Sequence, residues 1–141
     1  MRIRTIAMNS MVAIVLLSSV ACTGARSSGG EKTIKSTRSS DTTIALSSAT
    51  GEIKSGENEM TLSFTGASGN PLDVPAASLK FHMPAMGAMA EMNEVATLTT
   101  TDTRGKFHAR VNIEIGGTWE AMISFQGPRG TEQATMSVNA K

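Results

Sequence analysis

At 141 residues the chain has room for one domain and no more. Its 13 Lys and Arg against 12 Asp and Glu give a net charge of +1, with no basic block or stripe, which excludes a nucleic-acid-binding footprint. A single cysteine excludes an internal disulfide.

The first element is an export signal. Arg2 and Arg4 form a basic region, Met11 to Leu17 an apolar one, and Ser18-Ser19-Val20-Ala21 lead into Cys22. Basic, apolar and then small is the layout of a secretory signal peptide over residues 1–21, and the apolar part is too short to span a bilayer comfortably, which weighs against the alternative of an uncleaved membrane anchor. Ser19-Val20-Ala21-Cys22 resembles the lipobox of bacterial lipoproteins, with Ser19 where Leu is usual. That resemblance implies cleavage before Cys22 and a diacylglycerol on its sulfur. Each buried methylene of such a lipid contributes about 0.8 kcal/mol, so its acyl chains hold a protein firmly to a membrane. Thr23 follows the cysteine, and by resemblance to enterobacterial sorting the absence of Asp there favours the outer over the inner membrane. Without residues 1–21 the chain keeps 11 Lys and Arg against 12 Asp and Glu, a charge of −1.

Residues 23–42 are rich in Ser, Gly, Thr and charge, and Ile34 is their one sizeable apolar side chain. Such a stretch buries too little apolar surface to offset its ordering entropy, so residues 22–42 read as the lipid-bearing cysteine and a flexible tether.

From residue 43 to 141 short alternating runs follow one another between Gly, Pro and Asn. Thr43–Ser48 is a weak first strand. Glu59–Thr65 sets Met60, Leu62 and Phe64 against Thr61 and Ser63. Ser78–Met83 puts Leu79, Phe81 and Met83 on one face, and Val95–Thr100 is a Thr-rich strand. Lys106–Ile115 alternates most clearly, with Phe107, Ala109, Val111, Ile113 and Ile115 on one side. Two further strands carry Trp119, Ala121, Ile123 and Phe125, then Ala134, Met136 and Val138. Seven short strands of period two predict an all-β, antiparallel β-sandwich with one wet face on each sheet.

The chemistry-bearing stretch lies between the third and fourth of these strands. Of the chain's 10 Met, Met83, Met86, Met89 and Met92 recur every third residue beside His82. Thioethers are soft neutral donors, and a set of them with one imidazole selects Cu(I), or Ag(I), over Zn and over hard cations. If Phe81 and Met83 face the core, His82 faces out. The same methionines also suit core packing, since Met fills irregular gaps and spacing by three fits one face of a helical turn. On that reading Met83 leans to the core and Met86 and Met89 to a ligand set, with Met92 open to either. His108, on the polar side of its strand, is a lesser candidate, and Trp119 reads as packing.

Three ordered segments resemble the YtkA-like domain family, whose relatives include the FixH proteins and a domain attached to metal-efflux adaptors. Gly69-Asn70-Pro71-Leu72 before Ala76–Phe81 looks like its turn and following strand. His82-Met83-Pro84-Ala85-Met86-Gly87 corresponds to its Met-Pro-x-Met-Gly signature, and Gly105–Val111 through Gly116–Trp119 to its last block. The likeness runs over about residues 51–126. It implies an exported, immunoglobulin-like sandwich, often associated with copper handling or with assembly of respiratory oxidases. Ala88 stands where the family often has His, and Ile115 where Met is common; both departures remove soft donors.

Two functions follow as expectations. The first is a lipid-anchored Cu(I) module in the periplasm, with His82, Met83, Met86, Met89 and Met92 as ligand candidates, exchanging copper with a donor or acceptor protein of the envelope. The second is a metal-free interaction or assembly module whose Met loop docks a partner protein. An enzyme is not expected: two His, one Cys and no Gly-x-Ser-x-Gly leave no assembled constellation.

Overall fold

The computed structural model describes residues 30–141. The signal peptide expected at 1–21, Cys22 and the start of the tether lie outside them. Among the described residues there are nine strands and no helix. They are β1 (Lys32–Ser39), β2 (Thr42–Ser48), β3 (Gly56–Thr65), β4 (Ala77–Met83), β5 (Met92–Val95), β6 (Thr97–Thr100), β7 (Lys106–Ile113), β8 (Gly117–Gly127) and β9 (Gly130–Ala140).

All strand pairs are antiparallel, in a five-stranded sheet β1-β2-β3-β7-β6 and a four-stranded sheet β5-β4-β8-β9. The two sheets face each other as a β-sandwich, which the alternating sequence predicts. Ile44 and Leu46, Leu62 and Phe64, Leu79 and Phe81, Val111 and Ile113, and Ile123 and Phe125 all point inward and are buried. Phe64 of one sheet meets Phe125 of the other with ring centroids 4.9 Å apart, and Phe107 stands edge-on to Phe64 at 5.9 Å. Aromatic pairs of this kind add about 0.5–1.5 kcal/mol each beyond the area they bury. Trp119 is fully buried, and its indole N–H donates to the Ile115 carbonyl at 3.1 Å, so the one polar atom of the ring is satisfied.

Two strands exceed the expected seven. Lys32–Ser39, assigned from composition to the flexible tether, is an edge strand along β2, from Lys32 opposite Ser48 to Ser39 opposite Thr42. The composition argument weighs side chains, whereas this strand is ordered by its backbone ladder; only Ile34 packs partly against the core. The domain therefore begins near Lys32 rather than at residue 43. The expected strand Val95–Thr100 is the end of β5 followed by β6: the chain leaves β4 and joins β7 at Ala96, whose N–H donates to the Leu79 carbonyl at 3.0 Å. A small, buried residue at the crossing lets one continuous strand pass between layers.

Strand directions define the two ends of the sandwich. Lys32 opposite Ser48, Gly56 opposite Ile113, Gly117 opposite Ala140, and Met83 opposite Met92 all lie at one end, called here the proximal end. Glu120 opposite His82 brings β8 and β4 to the same end, and the Ile53–Ala140 bridge ties the segment before β3 to the four-stranded sheet there. The turn Gly66–Asn70, closed by Gly66 N–H to Asn70 carbonyl and Gly69 N–H to Gly66 carbonyl bonds, lies at the other, distal end.

Candidate metal centre

The segment from β4 to β5 is a single hairpin. His82 pairs with Asn93 and Met83 with Met92. Three residues further along each arm, Met86 and Met89 form an isolated antiparallel bridge, exchanging N–H to carbonyl bonds of 3.1 and 2.9 Å. Equal steps on both arms carry the register through without a bulge. The two residues between the bridge partners are Gly87, at φ 58°, and Ala88, whose φ is not positive. Glycine at the first of two loop positions is what a type II′ turn requires. The helical turn that spacing by three also suits is absent.

Parity then decides where each sulfur goes. Side chains change face at every residue of an extended arm, so residues three apart lie on opposite faces. Met83 faces the core and is 3% exposed, its methyl group against Gly117. Met92, directly across from it, packs partly against the core. Met86 and Met89 belong to the other face and are 55% and 47% exposed. Opposite residues in an antiparallel bridge present their side chains to the same side with Cα atoms about 5.5 Å apart. The two thioethers therefore stand side by side at the tip, in water.

His82 lies at the base of the hairpin on the outer face, half-buried, as the alternation of its strand predicts. Its Nδ1 is 3.0 Å from Asn93 Oδ1. An amide oxygen only accepts, so the contact is a hydrogen bond in the tautomer with the proton on Nδ1. Asn93 was not among the candidates read from sequence; the hairpin register that sets it opposite His82 is the signal that finds it. On the other side His82 adjoins Glu120 of β8.

A family model described as YtkA-like matches residues 36–124, from within β1 to within β8. The chain belongs to the YtkA-like family. The match includes the whole Met hairpin, and the resemblance read from the Met-Pro-x-Met-Gly element is thereby established. No curated protein and no solved structure matches the chain.

In this YtkA-like domain the five candidate ligands separate into three groups. Met86 and Met89 form an exposed pair, His82 stands at the base with Asn93, and Met83 and Met92 are turned toward the sandwich. His82 belongs to β4 and Met86 lies four residues further on, at most about 13 Å along an extended chain. Soft neutral donors fit Cu(I) or Ag(I) at the tip, as a two-sulfur site. Among the described residues no three His, Cys, Asp or Glu side chains come together as a metal site. The other candidates lie elsewhere: His108 is half-buried on the outer face of the five-stranded sheet, between Thr61 and Thr99, and Met60 and Met136 are in the core.

Proposed function

We propose that this YtkA-like protein is an exported lipoprotein that binds Cu(I) at the Met86–Met89 pair and buffers or passes on copper in the bacterial envelope. The observation that carries the reading is the tip itself: two methionines directly opposite each other, half-exposed, on a turn that fixes their backbone separation. A hydrophobic residue recruited for packing would be buried, as Met83 is. Two neutral sulfurs leave coordination positions open, which suits an ion that is handed on by ligand exchange. The lipoprotein part of the reading is supported by the order basic, apolar, small, Cys22 at the start of the chain.

Competition for Cu(I) against a chromophoric chelator, without oxygen, tests the metal site in the chain from Gly30 to Lys141. Wild type is expected to bind stoichiometrically, and Met86→Ala with Met89→Ala to weaken binding by at least about tenfold, or 1.4 kcal/mol. His82→Ala should change it far less. Wild type binding no better than the double mutant sinks the copper reading. Capture of a partner protein that needs the same two residues and no metal would install the docking reading in its place.

A further inference from the structure

The Met hairpin and the N-terminal entry of the domain lie at the same end of the sandwich. Lys32 opens β1 opposite Ser48, at the proximal end, and the hairpin projects from the Met83–Met92 pair at that end. Its tip lies four residues past the end of β4, at most about 13 Å along the chain. From Pro84 to Ala90 every residue is exposed and none is ionisable: Pro-Ala-Met-Gly-Ala-Met-Ala. The first charge on the returning arm is Glu91.

We propose that this hairpin tip sits in the interfacial layer of the membrane to which Cys22 is anchored, as a second, shallow contact that orients the domain. The proposal rests on the lipid-anchor reading of Cys22. Nine residues lie between Cys22 and Lys32, and their ten Cα-to-Cα steps span at most about 35 Å. The lipid therefore keeps the proximal end within about 35 Å of the bilayer, the end from which the tip projects. Had the chain entered at the distal end, the eleven residues of β8, about 37 Å of strand, would stand between tip and membrane.

The chemistry of the tip fits an interface and not the hydrocarbon interior. Met86 and Met89 satisfy each other's backbone groups, but the exposed N–H and carbonyl groups of Ala85, Gly87, Ala88 and Ala90 have no such bridge and require water or headgroups. Apolar side chains of a surface element enter the headgroup–acyl boundary by about 5–10 Å. Glu91 marks the depth at which entry stops.

The test uses the full lipid-modified chain in vesicles of phosphatidylethanolamine and phosphatidylglycerol. Ala88→Cys and Ser68→Cys, at the tip and in the distal turn, each take a nitroxide spin label on their only free thiol. Power saturation against oxygen and a water-soluble nickel chelate reads depth. The label at residue 88 should favour oxygen and resist the chelate, and the label at 68 should behave as in water. Met86→Asp with Met89→Asp should return the residue-88 label to water while the protein stays on the vesicles. Equal chelate access at 88 and 68 on vesicle-bound protein overturns the proposal and leaves the anchor intact. Shielding that requires a co-reconstituted membrane protein also overturns it, in favour of a protein occupant. Protein missing from the vesicles, with a free thiol at Cys22, removes the anchor and the proposal together.

Discussion

Gly105 and Gly87 share the sign of φ but not a neighbourhood. Both have positive φ, 71° and 58°. A Cβ on Gly105 would lie 2.5 Å from the Leu72 carbonyl oxygen and 2.8 Å from that of Phe64, main-chain atoms that cannot turn aside. Gly105 also accepts the Phe64 N–H at 2.8 Å, so the approach is part of the ladder. Gly105→Ala should cost on the order of 3 kcal/mol, seen as a lower urea midpoint with an unchanged slope. At Gly87 a Cβ meets nothing within 4 Å, so Gly87→Ala should add only the backbone strain of the turn position, about 1–3 kcal/mol, confined to the hairpin. On the outer face of the five-stranded sheet, Glu59 accepts from Arg110 at 2.6 Å. That hydrogen bond first, then the Arg110 charge and His108, hold its carboxyl below the usual carboxylate range. A lowered carboxylate contributes stability above its unfolded value and loses it as pH falls through the folded one. Arg110→Gln should therefore lower the urea midpoint slightly at neutral pH and not at all in strong acid. Added salt should shrink the neutral difference.

At the scale of elements, β1 carries the sharpest expectation. It buries little, yet it covers the open edge of β2, whose Ile44 and Leu46 are in the core. A chain started at Thr43 should unfold at lower urea than one started at Gly30 and should self-associate on size exclusion through the bared edge. Equal midpoints would mean that β1 is dispensable. The strands legible in the sequence were those with one face buried, because burial writes a period of two into residues such as Phe107, Ala109, Val111 and Ile113. β1 leaves no such record, since its order comes from peptide groups that every residue shares. The change of sheet at Ala96 is equally silent, for the alternation of Met92–Thr100 belongs to one extended strand whichever partner it has. Within the hairpin the spacing of the methionines was visible, but its meaning depended on secondary structure. Three residues apart means one face on a helix and opposite faces on a strand, and Gly87 at a turn position decides for the strand.

For the molecule as a whole, what matters is which structures share an end. The Met tip and the entry of β1 are both proximal, while Gly66–Asn70 is distal. The chain's last residue is proximal too. Lys141 pairs with Glu52, Lys141 N–H donates to the Ile53 carbonyl at 2.9 Å, and neighbouring Gly51 lies against Lys32. First and last strands thus finish beside the same short segment, so a linker of about five residues, reaching up to ~17 Å, can join Lys141 to Lys32. Opening the chain between Ser68 and Gly69 then gives a circular permutant with every strand pair retained, and its thermal midpoint should fall by only a few degrees, on the order of 1 kcal/mol. Fused behind Cys22 with the lipid proposed for it, that permutant would hang upside down, with the methionines aimed away from the bilayer. The copper affinity and the membrane orientation proposed for the native chain would then become two independent settings of one domain.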